Sequence, residues 1–158
     1  MKTTSLKISA IVLLFTLMGA GCKKEEAFED LPLEYVKCPC DHDMAFIKKV
    51  AIQNVLLFDA SKTSWDEMKN RTFDGEKSEF VSYSEKTKSM IYYSVRTTMT
   101  GSSYVCNVPE ELKDWTITST GVVISFSADE FVSCIPQSGI ANNTFSNCVL
   151  TTFKRKIQ

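Results

Sequence analysis

Val50-Ala51-Ile52-Gln53-Asn54-Val55-Leu56-Leu57-Phe58 is the stretch that decides the fold class. Alternate positions place Val50, Ile52, Asn54, Leu56 and Phe58 on one face and Ala51, Gln53, Val55 and Leu57 on the other. Both faces are largely apolar, which predicts a central strand covered on both sides. Residues 88–99 alternate more cleanly, with Ile91, Tyr93, Val95 and Thr97 opposite Met90, Tyr92, Ser94 and Arg96, which predicts a strand with one wet face. Thr100-Gly101-Ser102-Ser103 then predicts a turn into Tyr104-Val105-Cys106, closing a hairpin. Further strands are expected at 79–83, 122–127, 130–135 and 148–156, each rich in β-branched or aromatic residues.

Helix signals are few. Ser64 with Glu67 fits a capping box, and Pro109 with Glu110 and Glu111 fits a helix start, where proline needs no amide partner and acids suit the positive dipole end. No long stretch carries a 3.6-residue period and no internal repeat is present. The expectation is an all-β, mostly antiparallel fold with one or two short helices. A β-sandwich is the first architecture and a partly open β-barrel the alternative.

Ahead of this region the chain changes character. Lys2 and Lys7 lead into the apolar run 8–18, which ends in Gly19-Ala20-Gly21-Cys22. A basic start, a short apolar run and small residues mark an export signal, and a run of 11 residues is too short to span a bilayer as a helix. Gly19-Ala20-Gly21-Cys22 resembles the lipobox of bacterial lipoproteins, and Lys23-Lys24-Glu25-Glu26 resembles the charged tether of Bacteroidetes-type cell-envelope lipoproteins. The resemblance implies acylation of Cys22. The expected organisation is a signal peptide at 1–21, the lipidated cysteine and tether at 22–33, and a single β-rich domain at 34–158.

Charge narrows the partners. Without residues 1–21 the chain has 16 Lys plus Arg against 19 acids, a net charge near −3, which gives no electrostatic reason to expect nucleic acid. The basic cluster Lys154-Arg155-Lys156 is expected to keep an unpaired edge strand soluble. Beyond Cys22 there are five cysteines: Cys38, Cys40, Cys106, Cys134 and Cys148. Export makes disulfides the first reading, and an odd count leaves at least one thiol over. Sequence alone allows 15 ways of drawing two bridges from five cysteines. Cys134 and Cys148 bracket a turn-rich loop between two apolar runs, so a bridge between them is expected.

Candidates for chemistry are sparse. Cys38-Pro39-Cys40-Asp41-His42-Asp43 gathers two thiols, two carboxylates and the chain's one histidine. Cys38, Cys40 and His42 form the rival metal reading, which the one-residue cysteine spacing and the lack of a second histidine weigh against. A nucleophile would also need His42 as its base, and nothing resembles a nucleophile elbow. Glu110-Glu111 and Asp129-Glu130 are expected as surface acids. Single glycines at 75, 101, 121 and 139 form no phosphate cradle, so no cofactor is implied.

Recognition is what remains. Trp65, Trp115, Tyr83, Tyr92 and Tyr104 are possible stacking faces, most of them expected to be core. The row Met90, Tyr92 and Arg96 on the expected wet face is the first place to look for a binding surface. The resemblance implies an exported, non-enzymatic ligand-binding or adhesion module, lipid-anchored at the outer membrane or cell surface. Its partner would be a glycan, peptide or protein. The alternatives are a small envelope enzyme or metal-binding protein centred on residues 38–43, and a structural subunit of a surface assembly.

Overall fold

The computed structural model describes residues 27–34, 38, 45–133 and 143–157. Residues 1–26, Cys22 among them, and Cys40, His42 and Cys134 lie outside the described residues. The strands are β1 (Phe28–Asp30), β2 (Phe46–Asp59), β3 (Lys77–Ser84), β4 (Ser89–Arg96), β5 (Thr100–Val105), β6 (Val122–Val132) and β7 (Asn143–Lys156). Helix α1 (Trp65–Thr72) links β2 to β3, and a 3-10 turn at Glu110–Asp114 lies between β5 and β6.

The strand order is β1-β7-β5-β4-β3-β2-β6, and β6 also pairs with β7. That second pairing closes β2 to β7 into a six-stranded mixed barrel with β1 as an extra strand, so the expected sandwich is replaced by a barrel. The all-β expectation holds. Three register shifts accompany the closure, two in β2, between Phe46 and Lys48 and between Ile52 and Val55, and one between β6 and β7 beside Ser127 and Ala128. Bulges of this kind bend a strand and raise its twist, which closing so few strands requires.

The bulge in β2 corrects the face assignment at 50–58. Asn54 takes a φ of 55°, a left-handed conformation that asparagine tolerates better than most residues. Alternation therefore resets. Ile52, Val55 and Leu57 all pack in the barrel interior, while Leu56 and Phe58 face outward toward α1.

The wet face expected on residues 88–99 is also corrected. Met90 is 1% exposed and Tyr92 packs against the same interior cluster, because rolling the sheet turns that face inward. The opposite face is covered too, since Met68 of α1 packs with Phe58, Phe80 and Val95. Only Arg96, at the strand's end, is exposed. The hairpin turn lies at 97–99, where the Arg96 N–H donates to the Met99 carbonyl at 2.8 Å. Thr100 to Ser103 are strand, wedged between β4 and β7 where small residues fit. The expected strand 122–127 and the start of the expected strand 130–135 merge into β6, which ends at Val132.

The helix signals are borne out. Ser64 Oγ accepts from the Glu67 N–H at 3.3 Å, and Glu67 Oε2 accepts from the Ser64 N–H at 3.5 Å. Pro109 stands before the 3-10 turn.

The C-terminal basic cluster does not guard a bare edge. Asp30 meets Lys154 at 2.9 Å and Glu29 meets Arg155 at 2.8 Å, so β1 pairs with this part of β7 through both backbone and charge. Leu31 and Leu33 pack on the core. Residues 28–33, expected as tether, thus belong to the folded domain.

Candidate functional site

Strand directions give the barrel two distinct ends. β2, β3, β5 and β7 run one way and β4 and β6 the other. One end therefore gathers the starts of β4 and β6 with the C-terminal ends of the other four.

At this end lies a groove of about 570 Å³, between the incoming segment 32–34 and residues 105–113. Its lining includes Val105, Val108, Pro109 and Pro32, with Glu34, Glu110, Glu111, Lys88 and Lys113 around them. Two features hold its walls. Cys38 is bridged to Cys106 with their Cα atoms 4.9 Å apart, inside the normal range for a disulfide. Asn107, 5% exposed, uses its side-chain amide as a substitute strand: Oδ1 accepts from the Leu150 N–H at 2.7 Å and Nδ2 donates to the Leu150 carbonyl at 3.0 Å. The same Nδ2 reaches the Glu34 carbonyl at 3.3 Å, which fixes the incoming segment to the far wall.

The charges around the groove are unequally satisfied. Lys88 pairs with Glu85, and Lys113 with Glu110 at 3.9 Å. Among the described residues, the carboxylates of Glu34 and Glu111 have no ion-pair partner. Tyr83 closes the inner wall, 4% exposed, its hydroxyl donating to Glu85 Oε2 at 2.6 Å. Burial, then that carboxylate, raise its hydroxyl well above the usual tyrosine value.

The opposite end of the interior is polar. Glu130 accepts from Ser146 Oγ at 2.6 Å and Ser103 Oγ at 3.4 Å, and meets Lys48 at 3.4 Å. Its neighbour Asp129 points out to Lys49 at 3.2 Å, so alternation separates two acids expected to share the surface. Tyr92 donates its hydroxyl to Glu79 Oε1 at 2.9 Å. Burial raises the Glu79 carboxyl, but bonds from Lys77, Tyr92 and Ser94 outweigh it and hold the group below its ordinary value. Each of these polar groups is matched by another, a structural arrangement rather than an open site.

Cys148 sits on the inner side of β7, 3% exposed and unbridged, while its expected partner Cys134 lies outside the described residues. β6 and β7 are indeed antiparallel neighbours, but register places Cys148 opposite Glu130, four positions before 134. Burial, then the Glu130 carboxylate, push its thiol up to about 12 from an ordinary 9.0. The unfolded thiol ionises first, so the contribution to stability is complete below pH 9 and falls as pH rises toward 12. Wild type should lose about 1 kcal/mol more than Cys148→Ala between pH 7.5 and 9.5 in urea titrations. Parallel pH profiles would show that the thiol is not shielded as described.

Most of the residues singled out in the sequence do not converge on the groove. With Cys38 consumed by Cys106, the rival metal trio of Cys38, Cys40 and His42 loses a thiolate ligand. Met90 and Tyr92 are packed inside the barrel, away from Arg96 in exposure. Trp65 stacks edge-on against Phe80 and Tyr93, and Trp115 lies on Phe153 with the Arg155 guanidinium 4.7 Å above its ring. Glu110 and Glu111, read as plain surface acids, line the groove, whereas Asn107 and Val108 carried no signal. Comparison of the chain with protein-family models, curated proteins and solved structures finds no match.

Proposed function

We propose that this chain is a non-enzymatic lipoprotein, anchored through Cys22 to the bacterial cell envelope, whose barrel-end groove binds an extended, basic peptide segment. The observation that carries the binding reading is the stapled groove itself. Its volume falls in the range of ligand sites, and a disulfide and a buried side-chain amide pre-form its walls. Pre-formed walls spare a ligand the cost of ordering them. The basic preference follows from Glu34 and Glu111, carboxylates at the groove that meet no cation among the described residues. A glycan is less well served, because among the described residues the one aromatic lining the groove, Tyr83, is buried and offers no stacking face.

The anchoring reading rests on Gly19-Ala20-Gly21-Cys22 and the apolar run before it. Among the described residues no helix is long and apolar enough to cross a membrane. Metabolic labelling with a fatty acid should mark the wild type and leave Cys22→Ser unlabelled; label kept by the serine variant would refute acylation at this position.

A peptide and glycan array tests the ligand class. The wild type should retain peptides with lysine or arginine, and Glu111→Lys should weaken them at least tenfold without changing the thermal midpoint. Equal retention by both proteins, or selection of glycans alone, would count against the groove as the peptide site.

A further inference from the structure

We propose that the groove-bearing end of the barrel is the end that faces the bilayer, so that the groove opens in the layer of solvent next to the membrane surface. The inference rests on the anchoring reading and adds an orientation to it. Six steps along the chain separate Cys22 from Phe28, the first residue of β1. Fully extended, that length is about 20 Å. A domain of this size is roughly 35 Å across, so a tether this short cannot let it turn its attached end away from the lipid.

The attached end is fixed by β1. Phe28 pairs with Lys156, Glu29 with Arg155 and Asp30 with Lys154, and the Ile157 N–H donates to the Ala27 carbonyl at 2.9 Å. The chain therefore enters the fold beside the C-terminal end of β7. The groove is built at the same end, from Tyr83 after most of β3, Lys88 before β4 and Val105 at the close of β5. The free linker would be twice as long if residues 28–33 were loose, and the orientation would not follow. The ion pairs of Glu29 and Asp30 hold β1 down and shorten it. Ile157, 52% exposed beside the entry point, is an exposed apolar side chain at this end, suited to approach lipid.

The opposite end presents the 97–99 turn between β4 and β5 and the polar Lys48–Glu130 pair. A partner reaching the groove would come from the membrane side, which suits a basic segment close to the membrane end of another envelope protein.

The test uses the acylated full-length mature protein in vesicles of phosphatidylethanolamine and phosphatidylglycerol that carry a lipid-borne quencher. A fluorescent non-canonical residue is placed at Ile157 in one sample and at the exposed Thr98, at the far end, in another. Quenching at least threefold stronger at Ile157 is expected. Equal quenching, or stronger quenching at Thr98, in protein that floats with the vesicles would overturn the orientation while leaving the anchor intact. Failure of the wild type to float, with Cys22→Ser behaving identically, would remove the anchor and the orientation together. A Glu29→Lys, Asp30→Lys double variant, which frees β1, should float normally and lose the contrast between the two positions; a contrast unchanged from wild type would also overturn the proposal.

Discussion

Opening the Cys38–Cys106 bridge is expected to destabilise the domain by about 4 kcal/mol, because it joins positions 68 residues apart and the entropy of closing so long a loop scales that way. The bridge enters the fold where it matters. Cys106 continues β5 along β7, its N–H donating to the Cys148 carbonyl at 2.9 Å, and Cys38 is 2% exposed against it. Cys106→Ser with Cys38→Ala should therefore shift the urea midpoint by a large fraction of the total stability, and reductant should do the same to the wild type alone. The groove should loosen as well, since one of its walls is then held by Asn107 only. A change below about 1 kcal/mol would mean that the bridge constrains little of the unfolded chain.

The second large effect is expected from Asn107→Leu. The substitution keeps most of the side-chain volume and removes three hydrogen bonds, two to Leu150 and one to Glu34. Leu150 is 3% exposed, so its N–H and carbonyl would be left without a partner in a dry place. Each buried orphan costs about 1–3 kcal/mol, which gives a loss of roughly 3 kcal/mol overall. Asn107→Asp should fall between, because it keeps the acceptor for the Leu150 N–H but replaces the donor with a carboxylate oxygen facing two carbonyls. Chemical denaturation of the three proteins orders them, and a leucine variant as stable as wild type would show that water replaces the amide.

Most strands, though not β1 or the first half of β5, were legible in the sequence because period two is a local property, but what covers each face is not. In β4 the alternation of Met90, Tyr92, Ser94 and Arg96 against Ile91, Tyr93 and Val95 is present as expected. The polar members simply belong to the barrel's polar end, where Ser94 and Tyr92 meet Glu79, and alternation cannot distinguish that from solvent. The bulge in β2 had one local trace, the Gln53-Asn54 pair in a largely apolar run, and asparagine is tolerated there for its left-handed conformation. The pairing of β6 with β7 was legible from their two apolar runs, whereas the register, which sets Cys148 opposite Glu130, was not. Barrel rather than sandwich turned on β6 having two partners. The groove had the least local signal of all, since Asn107 finds its partners 43 and 73 residues away in the chain.

The central claim, that the stapled barrel end is the recognition surface, is tested most directly by mapping amide chemical-shift changes in the labelled domain as a basic peptide selected on the array is added. Shifts should concentrate at residues 32–34, 83–88 and 105–113, and Val108→Trp, which fills the groove, should abolish them. Shifts concentrated instead on the α1 face around Trp65 and Phe73, or unchanged by Val108→Trp, would contradict the account.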